Sequence, residues 1–281
     1  MKKHNLFVLT LLNISILIVA IVSFLTTSFF KPNDSITLAK IDFSSPSATL
    51  FPTASSDANI ADETITPTEN TQATQDAYAA KLSEAGEYTI DQRNTLFIGD
   101  SRAVGLMEYG GNDLINFFSD VGMSLYKMDN YALNVKDKGK LTLNELLTNY
   151  QYQTIFIMLG LNDLGYNFES LTNHYSNLVS TIAQAQPNSK IILIKNLHLT
   201  ANRSDYDATF NNSNINLLNN FIATLADNTN IYCIDTNHYY DDQYGNLNTE
   251  YSNDDTHLYA KYYTQWLQQI IDDSTNLINQ S

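Results

Sequence analysis

Three polar clusters in this 281-residue chain combine groups that can open an ester. The first, Gly99-Asp100-Ser101-Arg102, follows a short apolar run at Thr95–Ile98 and precedes a helical pattern expected from Ala103. A serine at such a strand-to-helix turn can present its hydroxyl and its N–H to a bound carbonyl; the same place also suits a plain helix N-cap. The second cluster, Gly160-Leu161-Asn162-Asp163, ends the run Thr154–Leu159. An Asn amide there can donate to a developing oxyanion and glycine allows close backbone approach, while Asn-Asp is also ordinary turn chemistry. The third is Asp254-Asp255-Thr256-His257-Leu258. An Asp and a His three apart share one face of a helical turn, so the carboxylate can hold the imidazole in the tautomer that accepts a serine proton; taken alone, the pair also fits a solvated turn.

These clusters need a scaffold that brings residues some 150 positions apart together. Apolar runs at Thr95–Ile98, Ile115–Val121, Thr154–Leu159, Lys190–Lys195 and Ile231–Ile234 read as strands. Helical patterns lie between them near Leu141–Tyr150, Glu169–Ala185 and Ala208–Ala226, and Leu258–Ile278 closes the chain. Short apolar runs separated by helices indicate buried parallel strands joined by crossovers, hence an open α/β sandwich over residues 77–281. In such a sheet ligands bind beyond the carboxyl ends of the strands, where the first two clusters fall.

Gly-Asp-Ser after the first strand, Gly-x-Asn-Asp after the third and Asp-x-x-His-Leu before the last helix together resemble the blocks of SGNH (GDSL-like) hydrolases, over about Leu96 to Gln269. The resemblance implies that Ser101 is the nucleophile, His257 the general base and Asp254 its orienting partner. It implies an oxyanion hole made of the Ser101 N–H, the Asn162 side chain and the N–H of Gly122. It also implies a flavodoxin-like three-layer α/β/α sandwich with five parallel strands ordered 2-1-3-4-5, and no metal or organic cofactor. Two positions depart from the family's habit. Arg102 stands where the family name has Leu, and its guanidinium is expected either to contact an acidic group of the substrate or to form a surface salt bridge. Asp255 stands where Gly is frequent and adds a negative charge beside His257. Asp100 and Asp163 read as hydrogen-bonding scaffold.

Composition bounds the rest. With 15 Lys+Arg against 30 Asp+Glu the formal charge is −15, which opposes binding to phosphate backbones, so nucleic acid is not an expected partner. A single cysteine, Cys233, excludes an intrachain disulfide and a Cys-based zinc site; in Ile231-Tyr232-Cys233-Ile234 it reads as a buried thiol with no nearby cation to activate it. His174, His198 and His238 read as surface or loop histidines, Asp241–Asn246 as a turn rather than a calcium loop, and Tyr126, Tyr131, Tyr166 and Tyr259 as packing residues that can also stack on sugars. Lys2 and Lys3 precede an uncharged run from Leu6 to Phe30, so residues 1–30 are expected to form one transmembrane anchor, a cleaved signal being the alternative, with the following domain outside the cytoplasm. Residues 31–76, rich in Ser, Thr and Pro, read as a disordered stalk. The expected activity is an extracytoplasmic serine esterase removing acyl groups, O-acetyl above all, from cell-surface glycans. The alternatives are an O-acetyltransferase working with a multi-span membrane partner, and a non-catalytic glycan-binding module.

Overall fold

The computed structural model describes residues 86–281, so the expected anchor, the stalk and the first residues of the expected catalytic domain lie outside the described residues. Along the chain come β1 (Thr95–Gly99), α1 (Ser101–Tyr109), β2 (Asn116–Ser119), β3 (Ala132–Val135), β4 (Gly139–Thr142) and α2 (Leu143–Asn149). Then follow β5 (Thr154–Met158), α3 (Phe168–Ala185), β6 (Lys190–Ile194), α4 (Ala201–Ser204), α5 (Asn212–Thr224), β7 (Ile231–Ile234) and α6 (Tyr263–Asn279). Among the described residues no helix is long and apolar enough to cross a membrane.

Five strands form one parallel sheet in the order β2-β1-β5-β6-β7, and the five apolar runs of the sequence supply them. Every residue of β1 and β5 is buried, as parallel strands covered on both faces require. Successive side chains along β1 go to opposite faces: Leu96 and Ile98 join Leu146, Tyr175, Ile182 and Leu218 of α2, α3 and α5, whereas Phe97 joins Ala103, Leu106 and Trp266 of α1 and α6. Helices therefore flank the sheet on both sides. Tyr88, just ahead of β1, is clasped to the end of α6: its N–H donates to Asn279 Oδ1 at 2.6 Å, and Asn279 Nδ2 donates to the Tyr88 carbonyl at 2.9 Å.

Three departures from the sequence reading have physical causes. The helix expected from Ala103 begins at Ser101, because the Asp100 carboxylate caps it by accepting the Arg102 N–H at 3.0 Å. An antiparallel hairpin, β3–β4, precedes α2, which starts only at Leu143 behind a reciprocal Thr142–Glu145 capping box. The last helix starts at Tyr263, not Leu258; a 3₁₀ turn at Ala260–Tyr262 leads into it and leaves the Asp254–His257 segment as a loop.

Candidate active site

Ser101 is the first residue of α1, immediately after β1, and β1 lies inside the sheet between β2 and β5. Its Oγ is 2.8 Å from His257 Nε2. On the far side of the ring, Nδ1 is 2.7 Å from Asp254 Oδ2. The other Asp254 oxygen accepts the N–H groups of His257 (2.7 Å) and Thr256 (3.0 Å) and the Ser252 hydroxyl (3.2 Å). Partial burial works to raise the Asp254 pKa, but the N–H groups of His257 and Thr256 and the imidazole outweigh it and hold the carboxyl down at about 2. An ionised carboxylate only accepts, so Nδ1 must carry the ring proton. Nε2 is then the acceptor and the Ser101 hydroxyl the donor. The three residues thus form a continuous hydrogen-bonded chain in which His257 can take the Ser101 proton while Asp254 stays ionised and orients the ring.

Asn162 lies in a 3₁₀ turn directly after Gly160, which takes the left-handed φ of +96° where a Cβ would also press to 3.0 Å from Leu218. The Asn162 Nδ2 donates to the Met123 carbonyl at 3.1 Å and, at 3.4 Å, to Asp100 Oδ2. The amide is thereby tied both to the residue before Ser101 and to the loop after β2. Gly122, in that loop, has φ +71° and open space where a Cβ would be, and is adjacent to Met123. Asp163 fixes the same loop from beneath, accepting the Ser124 hydroxyl and the Leu125 N–H. Burial raises the Asp163 pKa, opposed by those two donors.

Arg102 is placed otherwise than the sequence suggested. It is 1% exposed, so it makes neither a surface salt bridge nor an open contact at a cleft. Its side chain passes beneath the third cluster, where Nη2 donates to the Thr256 carbonyl at 3.1 Å. Position two of α1 points into the core, and the local sequence does not tell which face of a helix turns inward that early. Asp255 also has an account. It occupies a left-handed φ of +65°, the conformation that favours glycine, and its carboxylate accepts the Thr200 hydroxyl (2.6 Å) and Asn202 Nδ2 (3.0 Å). Its charge is thus engaged in a lateral tie. Arg203 Nη1 adds a bond to Thr256 Oγ1 at 2.9 Å. Sequence reasoning missed Ser252, Thr200, Asn202 and Arg203, all of which brace the Asp254–His257 loop. Only folding brings most of them there, and no local spacing signals it.

The remaining histidines among the described residues are accounted for. His198 is half-buried, with Nδ1 2.9 Å from Asp241 Oδ2 and Nε2 2.9 Å from Asn216 Oδ1; burial lowers its pKa, but these partners outweigh that and leave it raised. His238 is bound to the Asp235 carbonyl, and His174 packs on Tyr126. Asp242 closes the Asp241–Asn246 turn by accepting the N–H groups of Tyr244 and Asn246. Burial pushes the Cys233 thiol up to about 11, although Lys195, a cation the sequence reading overlooked, pulls the other way. Among the described residues no group of His, Cys, Asp or Glu is arranged to hold a metal ion.

Residues 97–265 match the GDSL-like Lipase/Acylhydrolase family. A search of curated proteins found no match to the sequence. Among solved structures, a Streptococcus pneumonia protein named as a platelet activating factor is 20% identical, with 71% of this chain and 94% of that one covered at a TM-score of 0.49. A GDSL-like lipase from Bacteroides thetaiotaomicron is 17% identical, with 72% and 98% covered at a TM-score of 0.48.

Proposed function

The chain belongs to the GDSL-like lipase/acylhydrolase family and is a carboxylic ester hydrolase, and from that premise we propose that Ser101, His257 and Asp254 carry out its chemistry by acyl transfer. The observation behind this reading is the unbroken Ser101–His257–Asp254 relay at the carboxyl edge of the sheet. Ser101 Oγ attacks the ester carbonyl as its proton passes to His257 Nε2. The resulting imidazolium is balanced by Asp254 and returns the proton to the leaving alkoxide. Water, deprotonated by the same ring, then attacks the acyl-serine, and the ring returns that proton to Ser101 Oγ as the carboxylic acid leaves. Asn162 swings an N–H from its present acceptors to the oxyanion, which the N–H groups of Ser101 and Gly122 also face in this reading. Asn162→Ala should lower kcat on the order of 10²-fold or more, about 3 kcal/mol of transition-state stabilisation. Steady-state kinetics on an aryl acetate check this, and a loss under about threefold would remove Asn162 from the oxyanion hole.

For the substrate, the reading is an O-acetylated glycan outside the cell. A ring stack supports the sugar. Tyr166, four residues after Asn162, lies over Tyr126 at 3.9 Å between centroids, and Tyr126 in turn lies 4.1 Å from His174. The Tyr126 hydroxyl is anchored to Ser170 Oγ at 2.9 Å, and Tyr166 remains 50% exposed. A flat, preordered ring four residues after Asn162 suits the apolar face of a pyranose. The uncharged run Leu6–Phe30 behind Lys2 and Lys3 supports an anchored, extracytoplasmic location. Tyr166→Ala should raise KM for an acetylated oligosaccharide between about threefold and tenfold and leave aryl acetate kinetics unchanged. Equal effects on both substrates would discard the platform. Running the glycan assay with and without acceptor sugar separates hydrolysis from transfer, since acetyl appearing on the acceptor rather than as free acetate would make the protein a transferase.

A further inference from the structure

We propose that Arg102 is a positioning residue for catalysis, which holds the Thr256 carbonyl so that Asp254 and His257 stay in line with Ser101, and whose buried charge opposes protonation of the His257 ring. The proposal rests on the triad reading above. Its starting point is an imbalance: a guanidinium buried to 1% exposure whose Nε and Nη1 have no hydrogen-bond acceptor among the described residues. An arginine stays charged in a protein interior, so something other than hydrogen bonds must offset that charge. The charged groups that act on it come from several elements: Asp100 at the start of α1, Asp254 in the loop, Tyr263 at the start of α6, and Arg203 in α4. Two of these are carboxylates, Asp254 in the triad and Asp100 beside Ser101, and the His257 ring favours the charged form of Asp100.

The hydrogen bond that the Arg102 side chain donates is equally pointed. Thr256 lies between Asp255 and His257, its N–H already bound to Asp254 and its hydroxyl to Arg203, so the Arg102 bond to its carbonyl fixes the third polar group of that residue. Rotation of the 256–257 peptide would move the imidazole off Ser101. The charge has a separate effect. Asp100 and Asp254 both favour a protonated ring, and Arg102 sits among them with the opposite sign. Removing it leaves the ring facing two uncompensated carboxylates, so the ring holds its proton to higher pH and less of the free base remains near neutrality. A leucine, the residue of the family name, would supply neither the bond nor the charge.

The test compares Arg102→Met and Arg102→Lys with the unaltered protein, reading aryl acetate kinetics together with an NMR titration of the His257 ring, whose signal is assigned by its loss in His257→Ala. In Arg102→Met the expected results are KM within about twofold of the original, kcat lower by roughly 10- to 100-fold, and a ring midpoint raised by about one pH unit. In Arg102→Lys, which keeps the charge but not the fork, kcat should fall while the midpoint stays in place. An unmoved midpoint in a folded Met variant overturns the proposal, as does an unchanged kcat. Should the Met variant not fold, the Lys variant decides: lower kcat with a fixed midpoint upholds the proposal, and a shifted midpoint or full activity overturns it. The ring titration needs no turnover, so it still judges Arg102 if a Ser101→Ala protein were to stay active, a result that would overturn the triad reading instead.

Discussion

Ser101→Ala brings ester turnover down to a small residue, a loss on the order of 10⁴- to 10⁶-fold, with the fold unchanged. The size follows from the chemistry: the hydroxyl is the only group in the relay that becomes acylated, and an alanine methyl leaves His257 with nothing to deprotonate but water. Stability should hardly move. Ser101 is the first residue of α1, and the cap that starts this helix is Asp100, which the substitution leaves in place. Two measurements check the expectation. The kcat/KM on an aryl acetate should collapse, and covalent labelling by a fluorophosphonate should vanish while thermal unfolding stays within a few degrees. A label that maps to another serine, or activity that persists, would move the nucleophile elsewhere.

His257→Ala should be nearly as severe, on the order of 10⁴-fold or more in kcat, because Ser101 then lacks any acceptor for its proton and the leaving group lacks a donor. Combining it with Ser101→Ala should add little, since both act in one step. The pH profile carries a second, independent expectation. The Asp254 carboxyl is held near 2, so it stays ionised through the whole working range and its titration cannot produce the fall of activity on acidification. That fall must follow protonation of the His257 ring, with activity rising as pH increases and the ring becomes free base. A profile that stays level down to about pH 3 would argue that the imidazole is not the base.

The parts of this site that were legible beforehand share a property: each is marked by residues adjacent in sequence. Gly-Asp-Ser and Gly-x-Asn-Asp each follow one strand, and the pattern of buried strands told which edge of the sheet they would share, while Asp-x-x-His is a compact local pair in the loop ahead of the last helix. Arg102 shows the opposite case. Its neighbour in sequence is the candidate nucleophile Ser101, which suggested access to substrate, yet the Asp100 cap starts the helix one residue before Arg102 and turns its side chain inward. Burial at a helix start depends on what packs there, in this case the loop at Thr256, 154 positions away. The β3–β4 hairpin escaped for another reason. Its strands are four residues each and only partly buried, too short and too polar to register as apolar runs, although Asp137 and Gly139, both at positive φ, mark its turn.

The Tyr88–Asn279 clasp fixes where the rest of the polypeptide joins this domain. Tyr88 leads into the amino end of β1, and Ser101 leaves its carboxyl end five strand residues later, so entry point and reactive hydroxyl are separated by about 16 Å of sheet. The clasp and the Ser101 hydroxyl thus belong to opposite ends of the same central strand, so a substitution that loosens one end of β1 need not disturb the other.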